Sequence, residues 1–304
     1  MFKGHPKGLI AAALANMGER FGYYIMNAVL VLFLCSKFGL SEETSGTIYS
    51  FFYAGIYLLA LVGGAIADRT QNYKGTIRTG LIIMATGYVL LSIPILATST
   101  NIAWLLPLTC FALFMIAFGN GLFKGNLQAI VGQLYDDFEA EAAKQGPEAL
   151  KIAKSKRDSG FQIFYVFINV GGLIAPFIAP LLREWWLGAN GMAYNAQLPA
   201  LCHEFINNGA QMSQAALDNL NALMTAAGGN VAELANACQN YLQIFNEGIH
   251  YSFIASVVAM VICLIIFVAY QSRFPTPGKK TKVESQSYTA EEKRAMAKEI
   301  KQRM

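Results

Sequence analysis

Charge is what this sequence has least of. Asp, Glu, Lys and Arg make up 14% of its 304 residues, against about a quarter in a soluble domain, while 55% are hydrophobic. A soluble surface cannot be covered from that stock, which excludes an ordinary cytosolic enzyme and a disordered regulator. The chain has only five cysteines, which excludes a secreted scaffold stapled by disulfides. His-Glu-x-x-His, Cys-x-x-Cys and Gly-x-Ser-x-Gly patterns are all missing. A single acid, Glu19, falls inside an apolar block, whereas general acid–base chemistry needs two groups. The chain is therefore not read as an enzyme, and no metal or cofactor is expected.

What is present is apolar length. Six segments, at 8–35, 44–67, 79–98, 104–133, 159–182 and 249–271, are each about as long as is needed to cross roughly 30 Å of hydrocarbon. Only helices satisfy their own backbone within such short single segments in lipid. The expected fold is an all-α integral membrane protein with six transmembrane helices. The first segment does not read as a cleaved signal peptide, because Glu19 and Arg20 interrupt it. Of the 23 Lys and Arg residues, all but Arg20, Lys37, Lys124 and Arg183 fall on the segments that become cytoplasmic if the N-terminus is inside. That bias predicts an N-in, C-in multi-pass protein of the cytoplasmic (inner) membrane. It also places the net charge of +4 against membrane lipid, so nucleic acid is not an expected partner.

The predicted organisation is helices 1–5 over 1–183 with a cytoplasmic loop at 134–158, an external insertion at 184–248, helix 6 at 249–272 and a basic tail at 273–304. The loop mixes acids and bases and reads as a solvated connector. Within the insertion, 213–227 and 230–245 read as helical, and 184–247 contains no Lys or Arg. Cys202 and Cys238 both lie there as a candidate disulfide; Cys35, Cys110 and Cys263 read as packed apolar residues. In the tail, Thr289-Ala-Glu-Glu292 has the form of a capping box opening a basic helix that would lie on anionic lipid.

Glu19, Arg20 and Lys124 fall inside apolar segments, where a charge costs about 2.5–3.5 kcal/mol even on the lenient insertion scale. Together they sum to +1, one negative charge short of neutral. A guest carboxylate would supply it, held bidentately by arginine and as a point charge by lysine. The alternative is a structural ion pair between Glu19 and Lys124, which leaves Arg20 without a carboxylate. Gly18-Glu-Arg-Phe-Gly22 and Gly121-Leu-Phe-Lys-Gly125 are both small-xxx-small patterns. They suggest that helices one and four pack close at these glycines, around one cavity. Tyr23 and Tyr24, about a turn beyond Arg20, suit a pocket that is partly apolar and partly wet.

The same stretches carry a resemblance. Asn16-Met-Gly-Glu19-Arg20-Phe21-Gly22-Tyr23-Tyr24 resembles the Glu-x-x-Glu-Arg-Phe-x-Tyr-Tyr signature of the proton-dependent oligopeptide transporter family, a branch of the major facilitator superfamily. Gly63-Gly-Ala-Ile-Ala-Asp68-Arg69 with Arg78, Gly121-Leu-Phe-Lys124-Gly-Asn126, and Asp158-Ser-Gly-Phe161 through Asn169-Val-Gly171 are similar to further motifs, in the same order. The resemblance implies the N-terminal six-helix bundle of such a transporter and proton-coupled symport of di- and tripeptides. It implies that Arg20 and Lys124 hold a peptide carboxylate, with Tyr23, Tyr24, Tyr57 and Asn169 lining the pocket. Glu19 would couple proton movement, and Asp68, Arg69 and Arg78 would form a cytoplasmic gating loop. His5, His203 and His250 match no motif position and read as surface residues. Since family members have two six-helix halves, a second half is an expected partner, beside small peptides and protons, and the chain reads as a truncated product, a gene fragment or one member of a split pair. Nitrate or another small anion is the alternative substrate, and a non-transporting scaffold subunit the alternative role.

Two positions depart from the signature. Asn16 replaces its first glutamate, and Asn27 stands where an arginine is usual. One negative and one positive charge go together, so the +1 excess is kept while one protonatable site is lost. Proton coupling in this half is then expected to rest on Glu19. Asn16→Glu should shift the pH dependence of uptake, and adding Asn27→Arg should partly restore it. Equal pH profiles for the parent and both variants would refute the compensation.

Overall fold

A computed structural model describes residues 4–275; Lys3, the capping box from Thr289 and the basic tail helix lie outside the described residues. Among the described residues the regular structure is entirely helical. Six helices are long and apolar enough to cross a membrane: α1 (Gly8–Phe38), α2 (Glu42–Thr70), α3 (Tyr73–Ser92), α4 (Ile102–Ala143), α5 (Pro147–Ala189) and, after two short helices, α8 (Leu234–Tyr270). Local chemistry sets their ends. Gly39 closes α1 in the left-handed conformation (φ 65°), which glycine adopts without a Cβ penalty. The Ser41 hydroxyl caps α2 through the Thr44 amide, and Asn72 caps α3 through the Gly75 amide. α3 stops at Ser92, short of the expected 98, because Pro94 follows and biases the residue before it towards extended backbone.

The expected loop at 134–158 is not a loop. α4 runs on to Ala143 and α5 begins at Pro147, so most of this charged stretch is helix projecting past the apolar segments. Its acids and bases pair along and between the two helices: Arg157 donates to Asp136 at 2.8 Å and Glu139 at 3.4 Å, and Lys144 to Glu141 at 2.8 Å.

The packing follows a helix exchange. α1 lies chiefly against α5 and α8, whereas α4 lies chiefly against α2 and α3, and α3 meets α8. Each leading helix of a three-helix set is thus clasped by members of the other set. Glycines form the crossings, but not the predicted one. A Cβ at Gly18 or Gly22 would touch Cys263, Ala259 or Ser256 of α8. A Cβ at Gly121 would strike the Leu59 backbone of α2, and Gly125 has nothing nearby. The two small-residue patterns therefore seat α1 on α8 and α4 on α2, rather than α1 on α4. Asn126 fastens the second crossing by donating to the Gly63 carbonyl at 3.0 Å, beside Gly121.

The insertion packs as α6 (Leu198–Asn208), α7 (Gln214–Ala226) and the first turns of α8. Ser213 caps α7 through the Ala216 amide, where a helix was expected over 213–227. Cys202 and Cys238 are fully buried neighbours, free thiols joined by a hydrogen bond. That bond, and then burial, raise the Cys202 pKa above the ordinary thiol value.

His250 corrects the surface reading. It is buried, with Nδ1 on the Leu91 carbonyl at 2.8 Å and its ring against Phe33 and Phe253. His203 is half-buried on the Ser36 carbonyl at 2.7 Å, and His5 meets the Tyr135 hydroxyl at 2.6 Å. Lys37 and Arg183, two of the four cations outside the cytoplasmic segments, are buried as well.

Gly63→Val should disrupt the α2–α4 crossing, since its Cβ would overlap the Gly121 carbonyl. Overpacking of this kind costs about 1–3 kcal/mol. Thermal unfolding in detergent should fall for Gly63→Val and stay level or rise for Gly125→Ala.

Candidate functional site

The buried acid and its neighbour form one unit. Arg20 donates through Nε to Glu19 Oε2 at 2.5 Å and through Nη2 to Glu19 Oε1 at 2.6 Å. The pair is enclosed, Glu19 at 1% and Arg20 at 5% exposure. Oε1 takes a second donor, Asn120 Nδ2 on α4, at 2.6 Å. This corrects the alternative that paired Glu19 with Lys124: the guanidinium, not the ammonium, has taken the carboxylate. Arginine satisfies both oxygens with one rigid fork, which a lysine point charge cannot do.

Lys124 is then the cation left over. It lies one helical turn beyond Asn120 on α4, half-buried, and makes no ion pair among the described residues. Its ammonium sits over the Tyr57 ring at 5.5 Å and within electrostatic range of Arg20, Glu19 and Tyr53. On α2, Tyr57 exchanges a hydroxyl hydrogen bond with Tyr53 at 3.1 Å, and Tyr49 stacks on Tyr53 at 6.0 Å. On α1, the Arg20 guanidinium lies 4.9 Å over the Tyr23 ring, and Tyr23 meets Tyr24 edge-on at 5.2 Å. Cations over aromatic faces gain about 0.5–2 kcal/mol, more where water is excluded.

Tyr24 leans on Gly172 of α5, and neighbouring Gly171 seats against the Met17 and Phe21 backbone. Asn169 lies within a turn of this α1–α5 crossing, exposed and without a hydrogen bond among the described residues. Tyr57 is 54% exposed. The expected residues therefore divide into a more enclosed group on α1 and an open face carrying Tyr57, Asn169 and the half-buried Lys124. Asp68, Arg69 and Arg78 lie far from the charged pair along their helices, at the exposed α2–α3 turn. There Tyr73 donates to the Asp68 carboxylate, and the three form no ion pair among the described residues.

The two substituted positions are unequal. Asn16 is buried at 3% exposure. The Asn27 carbonyl oxygen is buried without a hydrogen-bond partner among the described residues. Asn120, Tyr53 and Tyr88 belong to the site and were missed. Asn120 had a signal, its i,i+4 spacing from Lys124 on one helix face. Tyr88 is fully buried on α3 within range of Glu19 and Arg20, its hydroxyl without a partner among the described residues, and nothing local in the sequence marked it.

Residues 74–291, more than two thirds of the chain, match the model of the POT family. The chain belongs to the POT family. It is similar to a di-/tripeptide transporter of Lactococcus lactis subsp. cremoris, 35% identical over 184 residues, which are 58% of this chain and 32% of that protein. A peptide transporter of Yersinia enterocolitica is 34% identical over 195 residues, 62% of this chain and 33% of the relative. The matches thus span about a third of these curated relatives' length. Among solved structures, a POT family transporter in complex with 5-aminolevulinic acid aligns with TM-score 0.58 at 23% identity, over 99% of this chain and 45% of that one. A POT peptide transporter (E310Q mutant) in complex with sulfate aligns with TM-score 0.56 at 24% identity, over 94% and 44%. The six-helix fold is that of this family, and the chain is a multi-pass membrane protein whose relatives are transporters rather than enzymes.

Asn120→Leu removes one of the donors to Glu19 and leaves a buried charge short of a bond. About 1–3 kcal/mol should be lost, read as earlier unfolding in detergent, whereas Asn169→Leu, on the open face, should unfold like the parent.

Proposed function

We propose that the chain supplies the N-terminal half of a proton-coupled di- and tripeptide symporter of the cytoplasmic membrane, oriented N-in and C-in. A second six-helix half would complete the path, with the substrate held between the halves. The observation that carries the reading is the division of charge: Glu19 occupies one edge of the Arg20 guanidinium, while Lys124 keeps no counter-ion among the described residues. A peptide carboxylate entering beside Lys124 competes with Glu19 for Arg20. A proton on Glu19 ends that competition, because a neutral carboxyl no longer matches the fork. Proton and substrate thus favour each other's binding, which is the linkage symport needs. Tyr23, Tyr24, Tyr57 and Asn169 would line the path, and the exposed Asp68, Arg69 and Arg78 would serve as the cytoplasmic gate. Peptide transport by the two relatives above supports the substrate class. Nitrate or a similar small anion is the second reading, favoured by Lys124 being a bare monopole that does not specify an amide backbone.

The test is uptake of labelled dialanine into vesicles carrying the chain with its second half, with and without a pH gradient. Arg20→Ala and Lys124→Ala should each lower uptake at least tenfold. Glu19→Gln should keep exchange down a substrate gradient and abolish stimulation by the pH gradient. Normal transport by the Arg20 and Lys124 variants would overturn the carboxylate site, and saturable uptake of nitrate in place of dialanine would select the second reading.

A further inference from the structure

At the end of the bundle that carries the insertion, a cavity of about 810 Å³ opens between the last turn of α1, the α3–α4 connection, α6 and the first turns of α8. Its volume lies within the usual range for small-molecule sites, about 300–1,000 Å³. Lys37 lines it, 4% exposed and without an ion pair among the described residues. Of the other buried cations, Arg20 holds Glu19, while Arg183 lies 3.8 Å over the Tyr194 ring with its Nε unpartnered among the described residues and does not line this cavity. The Lys37 ammonium has only the rings of Phe33 and Phe38, at 5.0 and 5.8 Å. Burying a charge on those terms is costly.

No Asp or Glu is among the residues lining the cavity; Asn207, Gln239 and Asn240 are, with no partners of their own among the described residues. Two nearby acids are engaged elsewhere, Glu233 by Asn236 and Glu247 by Gln243 and Trp186. Beneath Lys37 the floor is fixed: Ser36 donates to Asn246 at 2.9 Å, and the Ser36 carbonyl accepts from Asn246 at 3.1 Å and from His203 at 2.7 Å. Since a carbonyl only accepts, His203 Nε2 carries the proton. Leu96, Ile102 and Ile206 add apolar walls.

We infer that this cavity is a binding site for a small amide-bearing carboxylate, a short peptide, with Lys37 holding the carboxylate and the free amides meeting the backbone of the guest. The site is separate from the Arg20–Lys124 region, sits at the opposite end of α1 from Gly8, and does not require transport. One ammonium suits one negative charge, and amides with apolar walls suit a peptide better than a bare inorganic ion.

The test is calorimetric titration of the purified protein in detergent with dialanine, dialanine amide and inorganic phosphate. Lys124→Met serves as the background, so that the region of the proposed transport site loses its free cation. In that background dialanine should still bind. Adding Lys37→Met should weaken binding at least tenfold, and Lys37→Arg in its place should retain it. Removing a buried unpaired charge does not threaten folding, and monodisperse elution with an unchanged unfolding temperature checks this. Undiminished binding with Lys37→Met, equal binding of dialanine amide, no dialanine binding in the Lys124→Met background, or Lys37-dependent binding of phosphate alone would each overturn the proposal. Failure of vesicle uptake would count against the symport reading and leave this one standing.

Discussion

The site depends on a carboxylate held on one side by the guanidinium of its own neighbour in sequence and on the other by an amide from α4. Adjacent residues on a helix point about 100° apart, so Glu19 and Arg20 meet only because both side chains bend into the same enclosed space between helices. A buried ion pair of this kind is a poor source of stability, since desolvating two charges offsets most of their attraction. What it supplies is commitment: the Arg20 fork has a resident partner in the carboxylate beside it. Asn120 makes that arrangement a contact between two helices rather than a property of α1 alone.

The rest of the constellation is arranged around this centre by exposure. Lys124 stands one turn from Asn120, half-buried, and faces a tyrosine ladder on α2 rather than an acid. Tyrosine rings lower the cost of a nearby cation without neutralising it, so the positive excess persists. Tyr57 and Asn169 remain open to whatever covers this side of the bundle.

Much of this was legible from residues. The six apolar blocks gave the six spans, and the interruption by Glu19, Arg20 and Lys124 marked where the charge would matter. Chemistry that depends on distant neighbours was not legible. Gly18 and Gly121 sit in identical small-xxx-small frames yet face different helices, because spacing reports that a close approach exists and not with which partner. The charged run at 134–158 read as a connector because its polarity resembles that of loops, although α4 and α5 extend through most of it and Arg157 joins them through Asp136. His250 has no local signature; it is buried because the Leu91 carbonyl, at the end of α3, waits for a donor. Tyr88 joins the site only through the packing of α3 against α4 and α8.

The seam between α1 and α8 bears on how the molecule is built. The Gly22 carbonyl accepts from Ser256 at 2.9 Å, and the Ala15 carbonyl from the Cys263 thiol at 2.9 Å, so the two sides of the seam are separated by more than two hundred residues of chain. A ribosome delivers α1 well before the helix that closes over it. Until α8 arrives, α1 must lodge its acid and base without that roof, in wet translocon surroundings or against the helices already made. Sealing of this seam is therefore a late, collective event that waits for every helix between the two.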